Sequence, residues 1–505
     1  MAEKKNAQDV AKGYGLEELD TEGAVQMIAH DILITMHRAA SESNNKKRVA
    51  QIENVYKEWY PQGKFHDDGS PINSVLLMGP PGQGKTTAFK VAAKQVAQAL
   101  GMNYLENGAI DAKMEETGGI TDNDFVFVSQ ETAGVVSSLE WAGLPTSKIQ
   151  LDPQGKERKV MGRLYSTRLQ AIADAGGGLL LLDDFMNASP SIQNVGLSLT
   201  EEKRYGDLSL SKAYVGLTGN MGSVDGTHTT KISAALRNRC QIFFTQDKFQ
   251  NFVKRVNADP RYRDEVGDVG VCGFLERYQQ YFASMPDPKL MGGYNTPRSW
   301  DKFIAEARRA VYTQGGRQGA LRALKTIQSK AASLLGHEVA HQYTTYLRSM
   351  MDLADPLARD VILHGKLDKD TLKKKFNEGY SASEQHFAYQ YALALADYSA
   401  IKIVNDKGDL KEAVTRFAMG LTVLDGSSFT FGINAFKSKL ANQFESLSDK
   451  RPDGTRELNE KSKIEIAKIV AAHPQCTKQQ IQNMVDALSN TDKTSGMKSS
   501  RSRRS

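Results

Sequence analysis

Short apolar runs alternate with helical patterns between residues 74 and 245 of the chain. The runs are "VLLM", "FVFV", "LLLLDD", "AYVGLTGN" and "CQIFF". Continuous apolar runs of this kind are typical of strands that are covered on both faces, and the segments between them are long enough for helical crossovers. The pattern therefore predicts an α/β fold with a mostly parallel sheet.

Helical periodicity dominates on either side of this region. In residues 21–60, Ile28, Ile32 and Met36 recur at the i, i+4, i+8 spacing of one helical face. After about residue 250 we expect helices and no strands, for example in "DKFIAEARRAVYT", "EQHFAYQYALALADYSAIKIV" and "KSKIEIAKIVAAH". No internal repeat is evident.

These changes of pattern predict five parts. They are a helical N-terminal segment (1–65), an α/β core (66–248) with an insert at about 101–165, a helical region (249–335), an α-helical C-terminal domain (336–485) and a basic tail (486–505).

Composition adds limits to this picture. The chain of 505 residues is 40% hydrophobic and 25% charged, which is typical of globular proteins with real cores. It has no apolar run long enough for a membrane span, its first residues do not resemble a signal peptide, and Cys240, Cys272 and Cys476 are far apart. We therefore expect a cytoplasmic protein without a membrane partner. The Ser-rich last fourteen residues contribute +4 of the net charge of +6 and the rest of the chain is close to neutral, so a nucleic-acid partner is possible but not favoured.

The stretch "MGPPGQGKTT" carries the most specific chemistry. It matches the phosphate-binding pattern G-x-x-x-x-G-K-[ST] between a predicted strand and a predicted helix, whose apolar face consists of Phe89, Ala92, Val96 and Leu100. Glycines allow backbone N–H groups to surround phosphate oxygens, and the helix N-terminus adds positive charge. Lys85 is predicted to reach the β- and γ-phosphates of ATP, and the Thr86 hydroxyl to bind Mg²⁺. The nucleotide-binding set is Gly79, Pro80, Pro81, Gly82, Gln83, Gly84, Lys85, Thr86 and Thr87.

Two acidic residues follow the strand "LLLL" at the edge where open α/β sheets bind ligands. Asp183 is predicted to hold the metal, and Asp184 to orient or polarise the attacking water.

Together these motifs resemble AAA+ ATPases, most closely the MoxR-like group, over roughly residues 70–310. The resemblance implies three further roles: Asn220 at the end of "VGLTGN" places the water, Arg239 or the nearby Arg237 in "SAALRNRC" is the arginine finger, and Arg298 in "YNTPRSW" contacts the γ-phosphate from a helical lid. An arginine finger acts on a neighbour's ATP, so a ring is implied, expected to be a hexamer.

This sequence departs from the family in two ways. Asp184 stands where the family usually has Glu, which is one methylene longer. The 98 residues between Lys85 and Asp183 also exceed the usual spacing. The excess falls in the insert, where "EWAGLP" resembles a loop that faces the pore or a partner. Trp141 and Leu144 are placed there, with burial of Trp141 in the core as the alternative.

A second motif competes with this interpretation. His337-Glu338-Val339-Ala340-His341 fits the H-E-x-x-H pattern of zinc peptidases. The helical pattern, however, puts both histidines on a polar face with Thr344 and Arg348, away from an apolar stripe of Leu335, Val339, Tyr346 and Met350. A third zinc ligand is available only loosely, from Asp355, Asp360 or His364.

The sequence therefore favours a Mg²⁺-dependent ATPase, a chaperone-like remodeller of a protein client. An ATP-dependent zinc protease that uses residues 337–341 and a nucleic-acid motor or loader are the alternatives.

Overall fold

The computed structural model contains a large parallel sheet and an extended helical region. It describes the following residues: 13, 15–63, 65, 67, 69–116, 119–135, 143–151, 155–222, 225, 227, 229, 232–258, 267–284, 292–314, 317–372, 383–406, 410–424, 426–450, 456–472, 477–479 and 481–482. The chain divides into two compact units. The first is 1–251 with 284–291 and Thr296–Arg298, and the second is 252–283 with 292–295 and 299–505.

The elements of the first half are, in chain order, β1 (Glu17–Leu19), α1 (Thr21–Glu42), α2 (Lys46–Trp59), β2 (Ser74–Met78), α3 (Lys85–Ala99), β3 (Asn103–Glu106), α4 (Gly108–Glu116), β4 (Asp124–Glu131), β5 (Leu144–Leu151), β6 (Glu157–Leu164), α5 (Thr167–Asp174), β7 (Gly177–Asp183), α6 (Pro190–Glu202), β8 (Arg204–Tyr205), β9 (Leu208–Ser209), β10 (Ala213–Gly219), α7 (Ala234–Arg237), β11 (Cys240–Thr245) and α8 (Phe249–Ala258).

The seven strands of the main sheet follow the order β1-β11-β2-β10-β7-β4-β3, and neighbours run parallel throughout. The five predicted strands (β2, β4, β7, β10 and β11) are confirmed as its middle. The sheet also has two edge strands that were not predicted. One of them, β1, comes from the N-terminal segment that we expected to be entirely helical.

Helices cover both faces of this sheet. Because side chains alternate along a strand, Val75 and Leu77 of β2 pack with α1 and α3, whereas Leu76 and Met78 pack with α5 and α6 on the other face. The predicted apolar face of α3 is buried, and so are Ile28, Ile32 and Met36 of α1. A parallel sheet that is covered on both faces and has a phosphate-binding loop after β2 is a P-loop nucleotide-binding core, as predicted.

The second half is mainly helical: α9 (Gly273–Arg277), α10 (Pro297–Thr313), α11 (Arg317–Leu335), α12 (His337–His364), α13 (Ser383–Asn405), α14 (Leu410–Leu421), α15 (Gly426–Gln443), β12 (Ser448–Lys450), β13 (Arg456–Leu458) and α16 (Glu460–Ala471). The strands β12 and β13 form a small antiparallel sheet, so the expectation of helices alone was wrong.

The core of the second unit is aromatic. The ring centroids of Phe274 and Tyr343 are 5.4 Å apart, and those of Phe303 and Tyr343 are 5.0 Å apart. The indole N–H of the fully buried Trp300 donates to the carbonyl of Tyr281 at 3.1 Å. A buried indole that keeps a hydrogen bond avoids the cost of desolvating its polar atom. No helix in the described parts of the chain is long and apolar enough to cross a membrane.

Candidate nucleotide site

The loop between β2 and α3 has the backbone geometry of a phosphate cradle. Gly82 and Gly84 both have φ of +84°, in the left-handed region that favours glycine. At Gly79 a Cβ would lie 2.4 Å from the carbonyl oxygen of Thr245, so a side chain there would push the loop away from the end of β11. The first N–H groups of α3, including those of Lys85 and Thr86, have no partner within a helix and point towards the loop.

Lys85 lies buried at the centre of the loop. Its side chain is 6% exposed, and Nζ donates to the carbonyls of Gly79 at 2.7 Å and Pro80 at 3.0 Å, and to Oδ1 of Asn220 at 3.0 Å. Burial lowers the pKa of Lys85 to about 8, although the carboxylates of Asp184, Asp225 and Asp183 oppose that shift. The ammonium is therefore held in place and close to its point of deprotonation.

The predicted metal-binding pair is in direct contact. The Thr86 hydroxyl donates to both carboxylate oxygens of Asp183, at 2.9 and 3.1 Å. This pair supplies the hard oxygen donors that Mg²⁺ prefers, from the first turn of α3 and from the end of β7. The donor set at this point therefore fits Mg²⁺.

The predicted water-positioning pair is also in contact. The amide nitrogen of Asn220 donates to Oδ1 of Asp184 at 3.1 Å, and Asp184 has left-handed backbone angles of φ 52° and ψ 36°. Burial and the neighbouring charge of Asp183 raise the pKa of Asp184, and Lys85, Asn220 and Arg298 oppose the shift. The register explains this grouping, because parallel pairing of β10 with β7 and β2 brings three strand ends to one edge of the sheet.

Arg298 lies above the loop. A Cβ at Gly82 would be 3.3 Å from Cβ of Arg298 and 2.8 Å from the hydroxyl of Thr296. The exposed guanidinium of Arg298 is near enough to lower the pKa values of both Lys85 and Asp184. The structure thus brings Arg298 to the same site as Lys85, Asp184 and Asn220.

The two arginine-finger candidates belong to other elements: Arg237 ends α7, and Arg239 directly precedes β11. Arg239 is paired with Glu201 of α6 in the same chain, with Nε 2.6 Å from Oε2. Arg237 is exposed at the end of α7. None of the hydrogen bonds given for Lys85, Thr86, Asp183, Asp184 and Asn220 involves either arginine.

Two residues of the site were not predicted. The fully buried Thr218 donates its hydroxyl proton to Asp183 and accepts the backbone N–H of Asp184 at 2.9 Å, so one hydroxyl holds both acidic residues. Its signal in the sequence is a polar residue inside an apolar strand, two positions before Asn220. Asp225 is 3% exposed and accepts the N–H of Met221 at 2.6 Å. Asp225 lies in a loop, where the sequence has no periodic pattern that would predict its burial.

The insert contains a two-stranded hairpin, β5 and β6. Leu144 begins β5 and is 59% exposed. Trp141, for which the sequence allows either a place in this loop or burial in the core, is outside the described residues.

The H-E-x-x-H motif lies at the start of α12, and His337 and His341 are both exposed there. Glu338 accepts a hydrogen bond from the hydroxyl of Tyr281 at 2.8 Å. Within the described ranges, no three His, Cys, Asp or Glu side chains are grouped so that they could hold a metal ion.

The expected polar face of α12 needs one correction. Thr344 is buried and not exposed, because its hydroxyl donates to the carbonyl of Ala340 at 2.8 Å and so needs no water. Of the predicted apolar stripe, Val339 and Tyr346 of α12 are buried, and so is Leu335, which ends α11. The side chain of Met350 is outside the described residues.

The chain is similar to known proteins over short stretches or at low sequence identity. No protein-family model matches the chain. Over 91 residues it is 35% identical to replication factor C subunit 1 of Oryza sativa subsp. japonica, and over 79 residues 39% identical to the human subunit. These matches cover 16% and 15% of this chain but only 9% and 6% of those proteins.

Among solved structures, the Thermotoga maritima RuvB Holliday junction branch migration motor matches at 14% identity, with 82% of this chain and 94% of that chain covered and a TM-score of 0.27. A TM-score of this size establishes neither a shared fold nor a shared function. The strand order and the phosphate-binding loop are those of a P-loop nucleotide-binding fold, and the AAA+ assignment with its MoxR-like subgroup stays a prediction.

Proposed function

We propose that this chain is a Mg²⁺-dependent AAA+ motor that hydrolyses ATP in a ring of subunits and remodels a protein client. The observation that carries the proposal is the contact among Lys85, Thr86, Asp183, Asp184 and Asn220 at one edge of the sheet. Asp183, Asp184 and Asn220 stand at the ends of the parallel strands β7 and β10, and Lys85 and Thr86 lie in the first turn of α3. They converge on the loop that follows β2.

Lys85 and the loop N–H groups bind the phosphates. Nζ already faces the inside of the loop through its bonds to the Gly79 and Pro80 carbonyls. Thr86 and Asp183 would hold Mg²⁺, which supplies charge neutralisation for the phosphate oxygens when it is bound. Arg298 adds a positive charge on the open side of the loop.

Asp184 and Asn220 act on the attacking water. A carboxylate with a raised pKa accepts a proton more readily near neutral pH, and the Asn220 amide fixes its orientation at 3.1 Å. Because Asp184 is one methylene shorter than the Glu usual in the family, we expect slower turnover than with a Glu at this position.

Arg239 is proposed to act in trans. Arg239 is partly exposed and pairs with Glu201 of α6, which supports a role towards a neighbouring subunit. Mixing two inactive variants tests this arrangement. Lys85→Ala subunits keep the finger and Arg239→Ala subunits keep the nucleotide site, so mixed rings should recover part of the ATP turnover. No recovery in rings shown to be mixed would contradict action in trans by Arg239. The same mixture with Arg237→Ala tests the second candidate.

The protein client rests on the MoxR-like resemblance of the sequence. An Asp184→Asn variant should bind ATP, hydrolyse it slowly and retain its client in a pull-down, with Lys85→Ala as the matched control that binds neither. If the Asp184→Asn variant turned over ATP like the wild type, the assignment of the water-polarising residue would be wrong.

The second candidate is a motor or loader that acts on nucleic acid. The identity to replication factor C subunit 1 favours it. Single-stranded and duplex DNA and RNA should then stimulate ATP turnover, and the stimulation should fall steeply with added salt. Turnover that is unchanged by each of these nucleic acids would contradict this candidate.

A further inference from the structure

The β5–β6 hairpin collects most of the exposed apolar side chains. Eight large hydrophobic side chains are exposed in the described part of the chain, and five of them are in this hairpin: Leu144, Ile149, Leu151, Met161 and Leu164, with exposures from 59% to 78%. Apolar side chains exposed singly are ordinary, but a cluster of this density marks an interaction surface. A two-stranded hairpin is also only marginally stable alone in water, so a covering partner would stabilise it.

The strand register puts three of these side chains on one face. Ile149 is opposite Lys159, and Met161 is opposite Ser147, so Ile149 and Met161 are diagonal neighbours. Leu151 is two residues from Ile149 and therefore points the same way. We call Ile149, Leu151, Lys159 and Met161 the hairpin face.

The charge of the hairpin is positive. Residues 144–164 contain five Lys or Arg against two Asp or Glu. Lys159 and Arg163 lie on the side of the hairpin face with one acid, Glu157, which is opposite Leu151, and Lys148 lies on the other side. Lys148 and Lys159 are both exposed. Two copies of this surface would repel each other, whereas an acidic partner would be attracted.

The residue types distinguish polypeptide from nucleic acid. Residues 144–164 include no Phe, Tyr or Trp. Single-stranded nucleic acid is held largely by stacking its bases on aromatic rings, which this segment cannot provide. Leucine, isoleucine and methionine side chains instead suit the apolar side chains of a polypeptide, and Met adapts to varied partners.

We propose that the hairpin face binds acidic polypeptide segments that also carry apolar side chains. The apolar residues of the segment pack on Ile149, Leu151 and Met161, and its carboxylates face Lys159. This deepens the proposed function, because it gives the chemical class of the client segment.

Fluorescence anisotropy with the full chain tests the proposal. The probe is a short labelled peptide of Glu-Leu-Ser repeats, and the comparison probes are Lys-Leu-Ser repeats, Glu-Ser repeats and an oligothymidine of equal length. We expect the Glu-Leu-Ser peptide to bind at least about tenfold more tightly than each comparison probe. The double variant Ile149→Ser, Met161→Ser should lose about tenfold in affinity or more.

Two variants keep the test specific. Ile464→Ser, which changes a 52% exposed isoleucine of α16, is the matched control and should bind the probe like the wild type. Lys159→Glu should weaken the acidic peptide and strengthen the basic one, a reversal that mere loss of folding cannot produce. Unchanged binding in both hairpin variants would overturn the proposal. Tighter binding of oligothymidine, lost in those variants, would overturn it in favour of nucleic acid. Ring disassembly in the variants, seen by sedimentation, would overturn it in favour of a contact between subunits.

The outcome is separable from that of the proposed function. If the wild type hydrolyses ATP but the hairpin variants bind the peptide normally, the hairpin proposal alone is wrong. If the wild type does not hydrolyse ATP, the motor proposal is wrong, whatever the peptide does.

Discussion

The loop at residues 79–86 and the start of α12 both match short catalytic patterns, but they differ in what surrounds the key side chains. Lys85 is 6% exposed and has three hydrogen-bond acceptors drawn from its own loop and from Asn220. His337 and His341 are exposed on one helix. At the first position, other elements of the fold converge on the motif. At the second position, the carboxylate of the motif, Glu338, accepts a hydrogen bond from the hydroxyl of Tyr281.

This difference shows why a pattern of residues predicts chemistry only together with its partners. A buried charge is costly unless hydrogen bonds and opposite charges compensate it, so a fold that keeps Lys85 buried has to supply them. Exposed histidines carry no such cost and need no partners. Burial with compensation is therefore the feature that separates the two motifs.

The largest predicted effect is on nucleotide affinity, from replacement of Lys85. Lys85→Ala removes a buried ammonium from the phosphate cradle, and we expect roughly a hundredfold weaker binding of MgATP by calorimetry, from the loss of charged hydrogen bonds. The control is Lys94→Ala on the same helix, where the ammonium is exposed and lies 5.2 Å from the Tyr104 ring centroid. Equal binding by the two variants would show that burial of Lys85 has no bearing on nucleotide affinity.

The next largest effect should come from Thr218. Thr218→Val keeps the shape but removes the hydroxyl that holds Asp183 and the Asp184 backbone, so we expect turnover to fall about thirtyfold and the Mg²⁺ requirement to rise. Thr218→Ser keeps the hydroxyl and should restore most of the activity. If the Val and Ser variants had the same Mg²⁺ dependence, Thr218 would be only a packing residue.

Sequence patterns predicted the middle of the sheet better than its edges. The strands β2, β4, β7 and β10 are largely buried, and burial produces apolar runs. The strand β11 is partly buried and still apolar over most of its length. The edge strand β1 (Glu17–Leu19) is short, has Glu at two of its three positions and is largely exposed, so it leaves no such run. The hairpin was missed for a related reason, since its charged and apolar residues match neither a buried strand nor a helix.

The site was predictable where residues are close in sequence or follow a strand. Lys85 and Thr86 begin α3 directly after the loop that follows β2, and Asp183 and Asn220 stand at strand ends. Asp225 could not be found this way, because it lies in a loop. Its carboxylate accepts hydrogen bonds from the backbone N–H groups of Met221 and Thr227, which hold it in place. Only the folded chain shows that its charge acts on the pKa of Lys85.

The pKa of Lys85, lowered to about 8 by burial, predicts a pH effect of intermediate size. Phosphate binding favours the charged ammonium and so raises this pKa in the complex. Above pH 8 the free protein must therefore take up a proton when it binds the nucleotide, and affinity should fall about tenfold between roughly pH 7 and pH 9. Calorimetry in two buffers of different ionisation enthalpy measures the uptake. The same titration with Lys85→Arg, whose charge does not titrate in this range, should lack this component.

The smallest effect is expected at the second motif. The double variant His337→Gln, His341→Gln changes two exposed side chains, so ATP turnover and the midpoint of thermal unfolding should stay near the wild-type values. Glu338→Gln weakens the hydrogen bond from Tyr281 and should lower the midpoint slightly more than the histidine variant does. That order is the reverse of what a zinc site would give, because there the histidines would bind the metal and their loss would cost more than that of the glutamate. Stoichiometric zinc in the wild type that disappears in the histidine variant would break the contrast between the two motifs. It would then place a metal on the exposed histidines at the start of α12.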